Sequence, residues 1–244
     1  MGIGMGIVRR FVDSGAKVLI ADKATEPAEK YMKSLPDKIR KSVAVTEADL
    51  LQEEAPEHMI SEIVDEFGGI DILVNNAGIY PTVPMLEMTT DQFDRVYRLN
   101  LRALAFTSKA AAKQMIKQKI HGKIVNIASI DSVHPSSIGL AAYDASKGGV
   151  LMFTKNFALE VAKAGITVNA IAPGGIATEG TGMAPGGKQS EQMQKMIEEF
   201  RKQIPMGRMG SPDDIAKVAV FLASGASDYM TGSLVTVDGG RLLM

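Results

Sequence analysis

A tyrosine and a lysine four positions apart, Tyr143 and Lys147, are the side chains of this sequence best suited to move a proton. At that spacing in a helix they share one face. A free phenol has a pKa of roughly 10 and is a poor acid or base near neutrality, so catalysis needs a neighbour that stabilises the phenolate. The Lys147 ammonium can be that neighbour. Upstream, Ser129 directly follows an apolar run at residues 123–128, and its hydroxyl could hydrogen-bond the substrate oxygen that Tyr143 protonates or deprotonates. Taken alone, a Tyr-x-x-x-Lys is more often two ordinary side chains on an amphipathic helix.

The elements that must position these groups are short apolar strands and amphipathic helices in alternation. Strand-like runs fall at residues 17–21, 42–46, 70–74, 123–128, 166–172 and 234–237. Helical patterns fall at residues 2–14, 25–35, 53–67, 89–118 and 140–163, with Gly15 placed to stop the first. A last helix is announced by Ser211 as N-cap, Pro212 in the first turn, and Asp213 and Asp214 near the positive end of the dipole.

At 244 residues, with no Pro/Ser-rich linker, charge block or repeat, the chain suits one α/β domain. Its net charge of -1, from 27 basic and 28 acidic residues, gives no electrostatic reason to expect nucleic acid or an anionic membrane as partner. Zero cysteines exclude disulfides, thiol catalysis and thiolate metal sites. No apolar run approaches the roughly 20 residues that span a bilayer, and no signal peptide is visible, so a cytoplasmic location is expected. His134 has no second histidine or carboxylate at ligand spacing, and no metal is expected.

The motifs occur in a telling order: Gly2, Ile3 and Gly4; Asp22; Asp49 and Leu50; Asn75, Asn76, Ala77 and Gly78; Asn100; Ser129; Tyr143 and Lys147; Pro173 and Gly174; and a closing Val237, Asp238, Gly239 and Gly240. Along nearly its whole length the chain resembles the short-chain dehydrogenase/reductase family. The resemblance implies a Rossmann-like doubly wound, mostly parallel sheet flanked by helices, one domain over residues 1–244, transferring hydride between a nicotinamide cofactor and an alcohol or ketone. It implies a catalytic set of Asn100, Ser129, Tyr143 and Lys147, in which Lys147 lowers the tyrosine's pKa and binds the nicotinamide ribose while Asn100 holds a proton-relay water. Ser132 is the reserve for Ser129, because the serine-to-tyrosine spacing is one residue longer than the commonest family pattern.

By the same resemblance the cofactor lies on Gly2, Ile3 and Gly4, on Asp22, on Asp49 and Leu50 at the adenine, on Asn76, Ala77 and Gly78, and on Tyr143 and Lys147. Pro173, Gly174, Ile176 and Thr178 complete the set beside the nicotinamide. The Asp22 carboxylate can accept from both ribose hydroxyls and would repel a 2′-phosphate, which favours NAD over NADP. Residues 179–203 resemble a mobile substrate lid in which Met183, Met193 and Met196 could be contacts. Small residues along residues 89–118 and 140–163 (Ala103, Ala105, Ala110, Ala111, Ala112, Ala145, Gly148 and Gly149) suit the helix pairing that builds a homotetramer in the family. The polar loop from Asp131 to Ser137 leans towards sugars or polyols as substrates. Reduction of acyl-carrier-protein thioesters and an inactive truncated or assembly subunit are the alternatives.

One departure stands out. The family's first strand and the leading Thr-Gly of its TGxxxGIG pattern have no counterpart ahead of Gly2. That strand lies mid-sheet in the family, so the expectation is a sheet with exposed apolar flanks and unpaired backbone, and an incomplete phosphate loop. A start placed too far downstream, a truncated chain, or a gap filled by another route would each account for it.

Overall fold

Apolar spacing, glycine stops and polar caps produce the expected alternation in the structure, a computed structural model that describes residues 2–179 and 191–244. Helix α1 (Ile3–Asp13) buries Ile7, Phe11 and Val12 and stops at Gly15, whose φ of 83° few other residues tolerate. Strand β1 (Val18–Asp22), helices α2 (Glu26–Ser34) and α3 (Asp37–Arg40), and strand β2 (Val43–Glu47) follow. Next come α4 (Ala55–Phe67), which is closed by Gly68 at φ 87°, and β3 (Ile72–Asn75). The short α3 was not expected from the sequence.

The stretch read as one helix over residues 89–118 is three pieces. Helix α5 (Thr90–Tyr97) starts at a capping box between Thr89 and Gln92, a wide π turn occupies Arg98–Ala103, and α6 (Leu104–Gln118) continues to Lys119. Strand β4 (Lys123–Ile127) is buried throughout and leads through a 3-10 turn (Ile130–Ser132) towards α7 (Ala141–Val161). Strand β5 (Thr167–Pro173), α8 (Glu191–Lys202), α9 (Pro212–Ala223) and β6 (Leu234–Val237) complete the elements. Residues 180–190, with Met183, lie outside the described residues, as do the side chains of Met193 and Met196.

All strand pairs are parallel, and the strands form two sheets. One is β1-β2; the other runs β3-β4-β5-β6. Among the described residues no strand pairs with both β1 and β3, and α1 packs against both sheets. Between β1 and β3 lies a cavity of about 570 Å³.

Helices cover both faces of the larger sheet, so its strands are apolar almost without interruption. On one face, Ile7 and Phe11 of α1 and Ile215, Ala216 and Ala219 of α9 pack on Val125, Ile127 and Ile171. On the other, Ala110, Ala111, Ala112 and Met115 of α6 and Ala158 of α7 pack on Ile124 and Val168. The small residues of α6 therefore face largely inward, and the outward surfaces carry Phe106, Met152 and Leu159 instead. Helices α1 and α9 meet at Gly6, where a methyl would stand 2.7 Å from Pro212 Cβ and 3.0 Å from its carbonyl. Arg10 Nη2 seals the contact by donating to Asp213 Oδ2 at 2.7 Å.

Candidate functional site

Because β4 is fully buried, the chain leaves the sheet at a fixed point, with Ala128 N donating to Ile171 O at 2.8 Å. Ser129 then caps the 3-10 turn. Its Oγ accepts from Asp131 N at 3.1 Å and donates to Asp131 Oδ2 at 2.9 Å, while Ser132 Oγ accepts from Ser129 N at 3.3 Å. The two candidate serines thus differ in placement. Ser129 stands close enough to the Tyr143 side chain to lower its pKa, whereas Ser132 closes the turn.

Helix α7 presents Tyr143 and Lys147 on one face, with Lys147 only 4% exposed and its Nζ 5.8 Å from the Tyr143 ring centroid. Lys147 donates to Ile127 O at 2.7 Å, and burial drives its pKa down to about 8. Tyr143 moves the other way, to about 12. Burial is the largest cause; the neighbouring Ser129 hydroxyl pulls it down, and Asp131, Asp144 and Tyr80 push it up. Lys147 is not among the groups that shift it. The expected lowering of the tyrosine's pKa by Lys147 does not show in the protein by itself, where desolvation is the largest influence.

Asn100, with no exposed surface, sits in the π turn, a distortion often found at functional positions. Its amide spends every group on neighbouring elements. Oδ1 accepts from Ile79 N at 2.8 Å; Nδ2 donates to Ile79 O at 2.8 Å and Ser146 Oγ at 3.0 Å. Ser146 in turn donates to Tyr143 O at 2.7 Å. Asn100 thus straps the loop after β3 to α7. Gly78 lies under this strap: a Cβ there would stand 3.2 Å from Asn100 Oδ1 and 3.6 Å from Lys147 Nζ.

The dinucleotide-side candidates cluster at the ends of β1 and β3. Asn75 braces the sheet through Ser108 Oγ and Asn126 Oδ1, both at 2.9 Å. Gly4 is pressed against Asn76, whose Nδ2 would be 2.7 Å from an added Cβ. Just before it, Gly2 caps α1 in an extended conformation without a side-chain partner for the first-turn amides, and Ile3 opens the helix. Asp22 ends β1, exposed, and accepts from Ala24 N at 3.0 Å. Gly4, Asp22, Leu50, Asn76 and Ala77 all line the cavity between β1 and β3.

The Asp49 carboxylate is already engaged. It pairs with Lys23 Nζ at 2.7 Å, which is the main cause holding its pKa below the usual carboxylate range, and it accepts from Leu51 N at 3.1 Å. At the far end, Pro173 closes β5, and Gly174 abuts the exit of β6, where a Cβ would be 2.7 Å from Asp238 Cα. Ile176 bridges Gly210, and Thr178 is buried. His134 is exposed on the loop before α7.

Sequence reasoning missed three residues here. Tyr80 packs edge-on against Tyr143 with centroids 6.2 Å apart; Asp144, like the loop residue Asp131, buries an Oδ1 that has no hydrogen-bond partner; and Ser146 links Asn100 to α7. Their only signal was position, two residues beyond Gly78 for Tyr80 and within the Tyr143 to Lys147 turn for the others.

A parallel α/β fold with a buried Tyr/Lys pair beside a strand-end serine defines a dinucleotide-dependent oxidoreductase, and comparisons with known proteins agree. A family model described as enoyl-(acyl carrier protein) reductase matches residues 1–241. A 3-oxoacyl-[acyl-carrier-protein] reductase of Chlamydia pneumoniae is 37% identical over 98% of this chain and 92% of its own length. Galactitol 2-dehydrogenase of Agrobacterium fabrum is 37% identical over 98% and 93%. A diacetyl reductase [(S)-acetoin forming] of Staphylococcus epidermidis is 35% identical over 98% and 94%. The chain belongs to the short-chain dehydrogenase/reductase family, whose members are NAD(P)-dependent oxidoreductases. Among the described residues no helix is long and apolar enough to cross a membrane.

Proposed function

We propose that this oxidoreductase interconverts a secondary alcohol and a ketone with NAD, acting on a polyhydroxy substrate such as a sugar or polyol. The observation that carries the reading is the buried Lys147, its Nζ 5.8 Å from the Tyr143 ring centroid, beside the strand-end Ser129. Gly4, Asp22, Leu50, Asn76, Ala77 and Gly78 would hold the dinucleotide, with Lys147, Pro173, Gly174, Ile176 and Thr178 nearer its nicotinamide. The fit is good at Gly78, where the bare backbone leaves open the space that a side chain would take beside Asn100 and Lys147. When bound, the cofactor accepts or supplies the hydride.

The protein's own part is proton transfer. In oxidation Tyr143 takes the substrate's hydroxyl proton, and in reduction it gives that proton back to the carbonyl oxygen, which Ser129 holds. Lys147 keeps positive charge beside the phenol, and Asn100 keeps the strap between α7 and the loop after β3 in register. Asp22 supports NAD because its carboxylate stands exposed at the end of β1 while Lys23 is neutralised by Asp49. The polyol preference draws support from the buried free acceptors on Asp131 and Asp144 and from the name of the Agrobacterium relative.

The reading extends to assembly and place: a single functional unit over residues 1–244, a lid at residues 179–203, a homotetramer and a cytoplasmic location. Reduction of an acyl-carrier-protein thioester is the second reading, favoured by the name of the Chlamydia relative. A screen of alcohols and polyols with NAD and NADP, run beside a β-ketoacyl thioester with NADPH, separates the two. Turnover of a polyol with NAD, falling at least about a hundredfold in Tyr143→Phe while NAD binding persists, is the expected result. Full activity of that variant would refute the assignment.

A further inference from the structure

We propose that Asp131 sets substrate choice by holding the Ser129 hydroxyl hydrogen until a hydroxyl on the carbon next to the reacting one draws on the same carboxylate. The site then selects α-hydroxy ketones and vicinal diols over plain ketones and alcohols. This deepens the function proposed above and rests on it.

A serine hydroxyl has one hydrogen to give. Ser129 donates it to Asp131 Oδ2 at 2.9 Å, and its Oγ accepts from Asp131 N at 3.1 Å, so residue 131 engages the serine from both sides. The serine assigned to a substrate carbonyl oxygen therefore has no hydrogen left for it. On the same carboxylate Oδ1 is buried and, among the described residues, meets no donor. A buried acceptor without a partner is costly, so a donor arriving there gains more than it would in water. The chain fixes this arrangement: Ser129 is buried just beyond the end of β4, and its capping box with Ser132 sets the turn that carries Asp131.

A donor on Oδ1 weakens the hold of Oδ2 on the serine, because one carboxylate charge is then shared between two hydrogens. As negative charge grows on the carbonyl oxygen during reduction, that oxygen becomes the better acceptor and takes the Ser129 hydrogen. The oxygen of a vicinal hydroxyl lies about as far from the carbonyl oxygen as Asp131 Oδ2 lies from Ser129 Oγ, 2.9 Å, so one small substrate reaches both groups. Asp144 narrows the choice. Its Oδ1 is also buried without a partner among the described residues, and burial followed by Asp131 raises its pKa, so the two carboxyl groups feel each other. A keto acid would bring a further negative charge to them. An ammonium would satisfy the same acceptor but would approach the Lys147 cation, whose Nζ is 5.8 Å from the Tyr143 ring centroid. A neutral hydroxyl meets neither obstacle.

The test follows reduction by the full chain with NADH of hydroxyacetone, acetone and methoxyacetone, the last keeping the electron-withdrawing oxygen without a hydrogen on it. Wild-type kcat/KM for hydroxyacetone should exceed the other two by at least about tenfold, the scale of one hydrogen bond to a buried charge. Asp131→Ala frees the Ser129 hydrogen and should raise kcat for acetone and methoxyacetone alike, by at least about threefold, erasing the preference. Asp131→Asn removes the charge but keeps an oxygen for Ser129, and should leave acetone slow. Equal gains in both variants would mean that only the charge beside Tyr143 matters, and would overturn the proposal. So would a gain for methoxyacetone alone, which is a matter of bulk, a loss on all three ketones in Asp131→Ala, or faster turnover of pyruvate or aminoacetone than of hydroxyacetone. Without cofactor, saturation-transfer NMR should show hydroxyacetone binding more tightly than acetone to the wild type and not to Asp131→Ala. If that binding preference holds while no ketone is reduced, the choice of a vicinal hydroxyl by Asp131 stands and the oxidoreductase reading fails.

Discussion

Burial makes opposite demands on the two residues at the centre of the site: Lys147 gives up its proton near pH 8, while Tyr143 keeps its proton to about pH 12. The consequence for stability has a definite sign. Between about pH 8 and the ordinary lysine value of 10.5, folded Lys147 binds fewer protons than the unfolded chain, so its burial penalty is relieved and stability rises with pH. Between the ordinary tyrosine value of 10.0 and about 12, folded Tyr143 binds more protons, and stability falls. Denaturant unfolding of the wild type should therefore show a gain from pH 8 to 10 that Lys147→Met lacks.

For activity, the phenolate needed to oxidise an alcohol is scarce, so kcat/KM for oxidation should still be rising at pH 9. Asp131→Asn removes a negative neighbour that holds the phenol up, and its rising limb should move to lower pH; an unmoved profile would show that Asp131 does not act on Tyr143. Tyr143, Lys147 and Ser129 were readable because spacing along one helix and a strand end determine which side chains can meet. Asp144 was not, because neither neighbour nor spacing tells that a carboxylate will be buried with one oxygen unpaired.

Among the elements, the π turn and the α1–α9 contact carry the sharpest consequences. Asn100→Ala would leave the part-buried N–H and C=O of Ile79 without their side-chain partner, and a loss of about 1–3 kcal/mol in all is expected, together with reduced turnover, measured by unfolding and steady-state kinetics. Gly6→Val would drive a branched side chain into Pro212 and cost about 1–3 kcal/mol while leaving the Tyr143 neighbourhood intact. The sequence disclosed the caps and stops of these helices through Gly15, Ser211 and Pro212. It did not disclose the extra residue that widens the turn around Asn100, because the apolar stripes of α5 and α6 were read as one helix.

For the molecule as a whole, the parallel α/β architecture was readable from the alternation of apolar runs with helical patterns. Which helix faces point outward was not readable: Ala110, Ala111 and Ala112 looked like a surface for close pairing but are the packing of the core, and Phe106, Met152 and Leu159 stand outside. If the proposed tetramer pairs these helices, replacing Met152 and Leu159 together by lysine should lower the mass seen by light scattering without changing the folded spectrum. An unchanged mass would place the interface elsewhere.

The clasp between Arg10 and Asp213 joins positions 203 residues apart. During synthesis the opening helix must therefore wait for this clasp, and for its packing on α9, until almost the entire polypeptide has cleared the ribosome. A nascent fragment halted before α9 should stay sensitive to protease within its first fifteen residues, and release of the finished chain should end that vulnerability.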